Sequence, residues 1–203
     1  MAQIKRTSRG ARVRLEGNEV QLLGQLADEV DLLLSGNADD ATPPSARPAP
    51  SGEPASPDEL AELTGLAGLT WPTADEVEVP DDPALRRLLP NAYRDDAEAA
   101  AEFRRYTDAT LRGGKRADVT VVRQGLASIG AAGERVLDDA QVQAWLRFLT
   151  DARLVLASRL GIETASDAEA LEALDADDPR FMAYAVYEWL VSVLGGLLGA
   201  IDA

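Results

Sequence analysis

Residues 88–112 read LLPNAYRDDAEAAAEFRRYTDATLR, and this stretch decides the local architecture around it. Pro90 fixes its own φ and disfavours helical geometry at the residue before it, so the stretch opens on a turn. The aspartates at 95–96 have short acceptor side chains that suit a helix start, where free N–H groups and the helix dipole favour negative charge. Small and apolar residues then recur at helical spacing. We therefore predict a capped helix that ends at the glycine pair 113–114.

Most of the remaining chain has the same helical periodicity. Residues 3–15 are the exception, because apolar and charged side chains alternate there around Arg9-Gly10, which is the period of a half-buried strand. The sequence therefore predicts a mainly α fold, a multi-helix bundle with a small N-terminal β-hairpin. The expected helices lie at 19–34, 58–66, 83–89, 118–130, 137–160, 166–174 and 179–201.

The length of 203 residues favours a single domain with an internal insertion. Residues 1–36 would supply the hairpin and the first helix, and residues 58–203 the helical domain that shares their core. Residues 37–57 consist mainly of Pro, Ala, Ser and Gly with almost nothing to bury, which predicts a disordered, flexible linker. The alternative is a proline-rich motif that binds a partner, and the proline spacing is only weak evidence for it.

The charge of the chain is strongly asymmetric. The net charge of −15 favours solubility and argues against general affinity for nucleic acids or anionic membranes. Residues 1–14 nevertheless carry a local charge of +5 without an acid, which leaves 15 basic and 35 acidic residues elsewhere. A basic hairpin can contact DNA phosphates, or its arginines can simply oppose the acidic body or protect a strand edge. The candidate DNA contacts are Lys5, Arg6, Arg9, Arg12 and Arg14.

The residue types exclude several kinds of catalytic and metal site. The 203 residues contain neither cysteine nor histidine, so they cannot form disulfides, cysteine- or histidine-ligated zinc sites, or Cys- or His-based catalytic groups. The acidic run 175–178 resembles the start of a calcium loop but lacks the required Gly and Glu further on, so it is interpreted as a helix cap. We therefore predict no catalytic residues, no metal site, no cofactor and no enzyme activity.

Arg153 occupies an unusual position in the predicted helix 137–160, because it lies on the apolar stripe. A buried or interfacial arginine needs a carboxylate partner. Glu188 is the predicted partner, since it is the one charge within the apolar C-terminal helix, and Glu102 is the alternative. An ion pair that orients two helices is favoured over a ligand site.

The C-terminal helix is apolar on nearly all sides, with Trp189, Leu190, Val193 and Leu197 as its central residues. Such a helix is either central in a monomer or shared across an interface, and we predict a homodimer. A membrane span is not expected, because beyond Glu188 the uncharged run is shorter than the ~20 residues that a span requires. No apolar signal segment precedes Leu15, so a cytoplasmic location is expected.

Three segments carry a family resemblance. The LLPNAYRDD stretch with AAAEFRR at 99–105, DARLVLASRLGI at 151–162 and YEWL at 187–190 resemble an actinobacterial family described as a domain of unknown function. Members of this family are similar to the actinomycete oxidative stress regulator (AosR-like) proteins, and their genes commonly lie beside that of the Clp protease adaptor ClpS.

The resemblance implies a dimeric regulator of transcription in a stress response, with protein partners. It also implies a switch made of paired cysteines, which cannot operate in a sequence without cysteine. The alternative that the gene neighbourhood implies is a non-catalytic adaptor or accessory protein in Clp proteolysis.

Overall fold

The structure, a computed structural model, describes residues 2–35, 80–93 and 95–202. The predicted linker at 37–57 and the predicted helix at 58–66 lie outside the described residues. Within those residues the chain is mainly helical with a small N-terminal sheet, as predicted. The strands are β1 (Gln3–Thr7), β2 (Gly10–Arg14) and β3 (Glu134–Leu137). The helices are α1 (Gly17–Ser35), α2 (Pro83–Leu88), α3 (Ala97–Ala132), α4 (Asp139–Leu160), α5 (Ala165–Glu172) and α6 (Phe181–Asp202).

The predicted hairpin is confirmed, but it belongs to a three-stranded antiparallel sheet in the order β1-β2-β3. The sequence prediction missed β3, because four residues are too few for a period to be recognised. Gly133 ends α3 in the left-handed region, with φ of 78°, and the chain then turns directly into β3. A strand distant in sequence thus completes the sheet that the N-terminal residues begin.

The predicted helix end at Gly113-Gly114 is wrong, because α3 runs without interruption through both glycines. Each glycine costs only ~1 kcal/mol relative to alanine within a helix, and tertiary contacts on both sides of the pair outweigh this preference. On one side of the pair Arg112 donates to the Leu34 carbonyl of α1, and on the other side Lys115 forms an ion pair with Asp151 of α4. Asp118, predicted as a helix start, consequently lies in the middle of α3.

Several helices begin at the residues whose short acceptor side chains favour a helix start. Asp96 caps α3 by accepting a hydrogen bond from the Ala99 N–H (2.9 Å), and Asp138 forms a capping box with Gln141 at the start of α4. Helix α5 begins at Ala165, one residue before the predicted start of the helix 166–174, and its capping box is formed by Thr164 and Asp167.

Helix α4 is the centre of the bundle and packs against α1, α2, α3 and α6. Its Trp145, Phe148 and Leu149 side chains are fully buried. The core around them also contains Val13 of β2 and Leu197 of α6, so the N-terminal strands and the C-terminal helix share one hydrophobic core. Shared burial of this kind fixes where the sheet lies relative to α6.

Candidate nucleic-acid interface

The turn between β1 and β2 requires glycine. Gly10 has a φ of +120°, and a Cβ at this position would lie 2.1 Å from the Leu137 carbonyl oxygen. The Thr7 hydroxyl donates to the Gly10 carbonyl (3.0 Å) and accepts from the Arg9 N–H (3.3 Å). The turn is therefore closed locally, while β3 approaches it from the other side.

Strand register places six side chains in two rows on the solvent-facing side of the sheet. Residues paired across neighbouring strands project from the same face, and all six are exposed. We call this surface the outer sheet face. Its first row is Gln3, Arg14 and Glu134, and its second row is Lys5, Arg12 and Val136.

Charge on the outer sheet face changes from strand to strand. Lys5, Arg12 and Arg14 make β1 and β2 positive, whereas β3 contributes Glu134 and an exposed Val136. The Arg12 Nε lies 3.8 Å from a Glu134 carboxylate oxygen, and both side chains are about half exposed (50% and 48%). The result is a small, exposed cationic surface with an acid at one border.

The structure brings together three of the five predicted DNA-contacting residues and separates the other two. Arg6 is paired in register with the buried Ala11, and its guanidinium donates to the Ile201 carbonyl (3.2 Å) near the end of α6. A cation at this position satisfies a free carbonyl and complements the helix dipole. Arg9 is exposed in the turn.

Strand β1 packs against α6 as well as pairing with β2. The Ile4 side chain occupies the space beside Gly196, where an added Cβ would lie 3.1 Å from the Ile4 Cδ1. Glu19, at the start of α1, accepts hydrogen bonds from the Ala2 N–H (2.7 Å) and from the Trp189 Nε1 (3.2 Å). These contacts fix the position of the outer sheet face relative to α6.

The residues predicted for a core or dimer helix are part of the monomer core. Leu190, Val193 and Leu197 are buried, and Trp189 is half-buried against Glu19. The opposite side of α6 is exposed over two turns, with Val191 37% and Leu198 46% exposed. We call this side the α6 stripe, and its members are Val191, Ser192, Gly195, Leu198 and Gly199.

Within the described residues, α6 is the one helix whose length and composition would allow it to cross a membrane. Its other face packs against α4 and the sheet, and the buried Leu190 and Leu197 belong to the main core. Within the described protein, 22% of this apolar stretch is buried.

The structure does not bring Arg153 and Glu188 together. Arg153 is half-buried and Glu188 is exposed, and no ion pair joins these two residues within the part of the chain that the structure describes. The structure therefore does not show the predicted ion pair between Arg153 and Glu188 within one chain. A pair between two copies stays a prediction.

Apart from Glu19 on α1, the buried charged residues in the described part of the chain lie on α3 and α4. Arg112 is only 7% exposed, and it bonds to Asp108 (2.5 Å) and to the Leu34 carbonyl at the end of α1 (3.1 Å). Asp108 and Arg112 are four residues apart, and this spacing in the sequence indicates an ion pair on one face of a helix. The prediction misses this pair because it ends the helix at the glycines that follow Arg112, and a residue at a helix end is not expected in the core.

Two further ion pairs join α3 to α4. The Lys115 Nζ lies 2.7 Å from an oxygen of the buried Asp151 carboxylate. The Arg147 guanidinium forms a bidentate ion pair with the two Asp118 carboxylate oxygens, at 2.6 and 2.7 Å. Burial raises the pKa of Asp151, although Lys115 opposes the shift. The hydrogen bond to Asp118 raises the pKa of Arg147. Sequence spacing alone cannot find these pairs, since their members are far apart in the chain.

Comparison with known proteins covers nearly the whole chain. The family described as a domain of unknown function, DUF2017, matches residues 1–201. The chain belongs to the DUF2017 family. The basic sheet, the stretch 88–112 and α6 all lie within this family domain, and the resemblance found in the sequence is confirmed.

Relatives at lower identity carry functional names. Oxidative stress regulator AosR of Mycobacterium tuberculosis (strain ATCC 25618 / H37Rv) is 29% identical over 197 residues, 91% of this chain and 79% of that protein. The AosR protein assigned in Mycobacterium leprae (strain TN) is 30% identical over 150 residues, which are 68% of this chain and 64% of that protein. The chain thus spans less than two thirds of the M. leprae relative.

A further similarity involves an enzyme but covers little of it. Glutamine–tRNA ligase of Deinococcus radiodurans is 31% identical over 139 residues, which are 66% of this chain and 16% of that protein. The match therefore leaves most of the ligase without a counterpart here. No solved structure matches this chain.

Proposed function

We propose that this DUF2017 protein is a cytoplasmic, homodimeric, non-catalytic regulator of transcription that contacts the phosphate backbone of DNA with its outer sheet face. The observation that carries the proposal is the grouping of Lys5, Arg12 and Arg14 on one exposed face of an otherwise acidic protein. Phosphate contacts by lysine and arginine supply most of the non-specific affinity of proteins for DNA. Relatives named oxidative stress regulators support a regulatory role.

The trigger of such a regulator cannot be a disulfide in these 203 residues, since they contain no cysteine. The outer sheet face would act through charge, and its affinity for DNA would fall steeply with salt. Three cations set an upper limit of roughly −3 on the slope in a plot of log affinity against log salt, at about −0.9 per phosphate neutralised. Two copies in a dimer would double the number of cations that face DNA.

Removing two of the three cations should weaken DNA binding. For Arg12→Ala/Arg14→Ala we expect at least roughly tenfold lower affinity for a labelled 30-base-pair duplex at low salt, with a salt slope shallower by about 2. Fluorescence anisotropy between 50 and 200 mM salt measures both quantities. Arg86→Ala/Arg180→Ala is the matched control, because it removes the same charge from exposed arginines with local contacts. Flat isotherms for the wild type at low salt would contradict DNA binding.

The dimer would form on the α6 stripe. Helix α6 carries no charged side chain between Glu188 and Asp202, so two acidic chains can meet there without direct repulsion. Gly195 and Gly199 have open space where a Cβ would stand, which allows a second helix to approach closely. Burial of Val191 and Leu198 would then be favourable by about 25 cal/mol for each Å² of apolar surface.

A charge on the α6 stripe should prevent dimerisation. Leu198→Glu is expected to give the mass of one chain in light scattering at micromolar concentration, because each copy would place a carboxylate in an apolar contact. The matched control is Leu32→Glu on α1, where the leucine is 74% exposed and outside the stripe. The control should keep the mass of two chains. A strictly monomeric wild type would refute the dimer.

The adaptor role in Clp proteolysis stays a prediction from the family resemblance. No contact among the described residues distinguishes a surface for that role. Retention of a wild-type partner set by Arg12→Ala/Arg14→Ala, in the absence of any DNA binding, would favour the adaptor over the DNA-binding regulator.

A further inference from the structure

We propose that Glu134 limits the affinity of the outer sheet face for DNA by competing with phosphate for Arg12. This inference rests on the proposed DNA contact and assigns a role to a residue of β3, the strand that the hairpin alone does not contain. Glu134 is directly opposite Arg14 in strand register, and its carboxylate lies 3.8 Å from the Arg12 Nε. It therefore lies on the edge strand beside the two arginines, at the border of the same face.

Glu134 contributes little to the stability of the fold. Its backbone follows Gly133, which ends α3, and the negative end of a helix dipole does not favour an acidic residue. Its contact with Arg12 is exposed on both sides, and exposed ion pairs contribute little to stability. A neutral residue here should leave the fold intact, which makes Glu134 suitable for a test of binding.

The net charge of the outer sheet face indicates how Glu134 changes its affinity for a polyanion such as DNA. Lys5, Arg12 and Arg14 supply three positive charges, and Glu134 reduces their sum to two. A phosphate that binds Arg12 must displace the carboxylate and come close to it. Glu134 consequently weakens binding through both competition and repulsion.

Glu134→Gln should therefore bind DNA more tightly than the wild type. At 50 mM salt we expect a gain of about threefold to fivefold for a 30-base-pair duplex, because one exposed competitor is removed. The salt slope should become steeper by up to about 0.9, the contribution of one additional phosphate. The gain should shrink as the salt concentration rises.

Two comparison variants separate this effect from others. Glu169→Gln makes the same change in net charge on the exposed side of α5, and should leave the affinity within about twofold of wild type, since charges beyond a Debye length are screened. In an Arg12→Ala background, the gain in DNA affinity caused by Glu134→Gln should be less than half of the gain in the wild-type background. Melting curves for each variant check that the fold is retained.

The outcomes are distinguishable. No binding of the duplex by the wild type or by Glu134→Gln overturns the proposed DNA contact itself. Wild-type binding with an unchanged affinity for Glu134→Gln overturns the role of Glu134 alone. Equal gains from Glu134→Gln and Glu169→Gln, or a full gain without Arg12, would show a net-charge effect and overturn the proposed competition.

Discussion

Replacing Gly125 by alanine should destabilise the protein by about 2 kcal/mol, within the range of roughly 1–3 kcal/mol for inserting a carbon into a well-packed core. Gly125 lies in α3 against the buried face of Trp145, and a Cβ there would be 2.8 Å from the Trp145 Cζ2. Trp145 is completely buried at the centre of the bundle, so its ring cannot move aside without repacking its neighbours. The cost therefore exceeds the gain of ~1 kcal/mol in helix propensity.

The matched control is Gly113→Ala in the same helix. A Cβ at Gly113 meets no atom within 4 Å, so this variant gains helix propensity without a clash and should be more stable by about 0.5–1 kcal/mol. Urea unfolding followed by circular dichroism measures both free energies. Opposite signs for the two variants are expected. Equal effects would mean that Trp145 does not pack on Gly125.

Replacing Arg112 by methionine should cost about 3 kcal/mol, the lower end of the range for breaking a buried ion pair. Methionine keeps most of the apolar stem but removes the charge that faces Asp108 and the hydrogen bond to the Leu34 carbonyl. Asp108 would keep its charge without a partner, and the end of α1 would lose a bond across the α1–α3 contact. Thermal and urea unfolding measure the loss.

Arg153→Met is the matched comparison, because it tests whether Arg153 also takes part in a stabilising ion pair. Arg153 is half-buried and unpaired with Glu188 within one chain, so its replacement should cost less than about 1 kcal/mol at protein concentrations that favour monomers. A cost as large as that of Arg112→Met would place Arg153 in an ion pair that only a second copy completes. Concentration dependence of the melting temperature would identify that case.

Local features of this chain were predictable where neighbours in sequence decide them. Asp96 and Asp138 cap helices because short acceptor side chains precede apolar periodic runs, and Gly161 ends α4 in the left-handed region. The alternation of residues 3–15 predicted the hairpin for the same reason. Failures occurred where local preference was weak, as at the glycine pair 113–114, whose cost is small beside the packing of α3 against α1 and α4.

The candidate site was predictable only in part. The sequence identified five basic residues, but strand register decided that Lys5, Arg12 and Arg14 share a face while Arg6 binds the end of α6. The prediction also placed Arg153 in a buried or interfacial pair, whereas Arg112 is the buried arginine among the described residues. Position on an apolar stripe indicates burial but not the partner, because the partner comes from another helix.

By itself, the sequence determined the helical class, the basic N-terminal hairpin, the acidic body, the absence of cysteine and histidine, and the family. These properties depend on composition and on spacings of a few residues, which local backbone geometry converts directly into structure. Only the tertiary structure decided which side of α6 is exposed, that β3 joins the hairpin, and that Glu134 faces Arg12. Such pairings arise when burial of the shared core brings distant segments together, and no local period in the sequence encodes them.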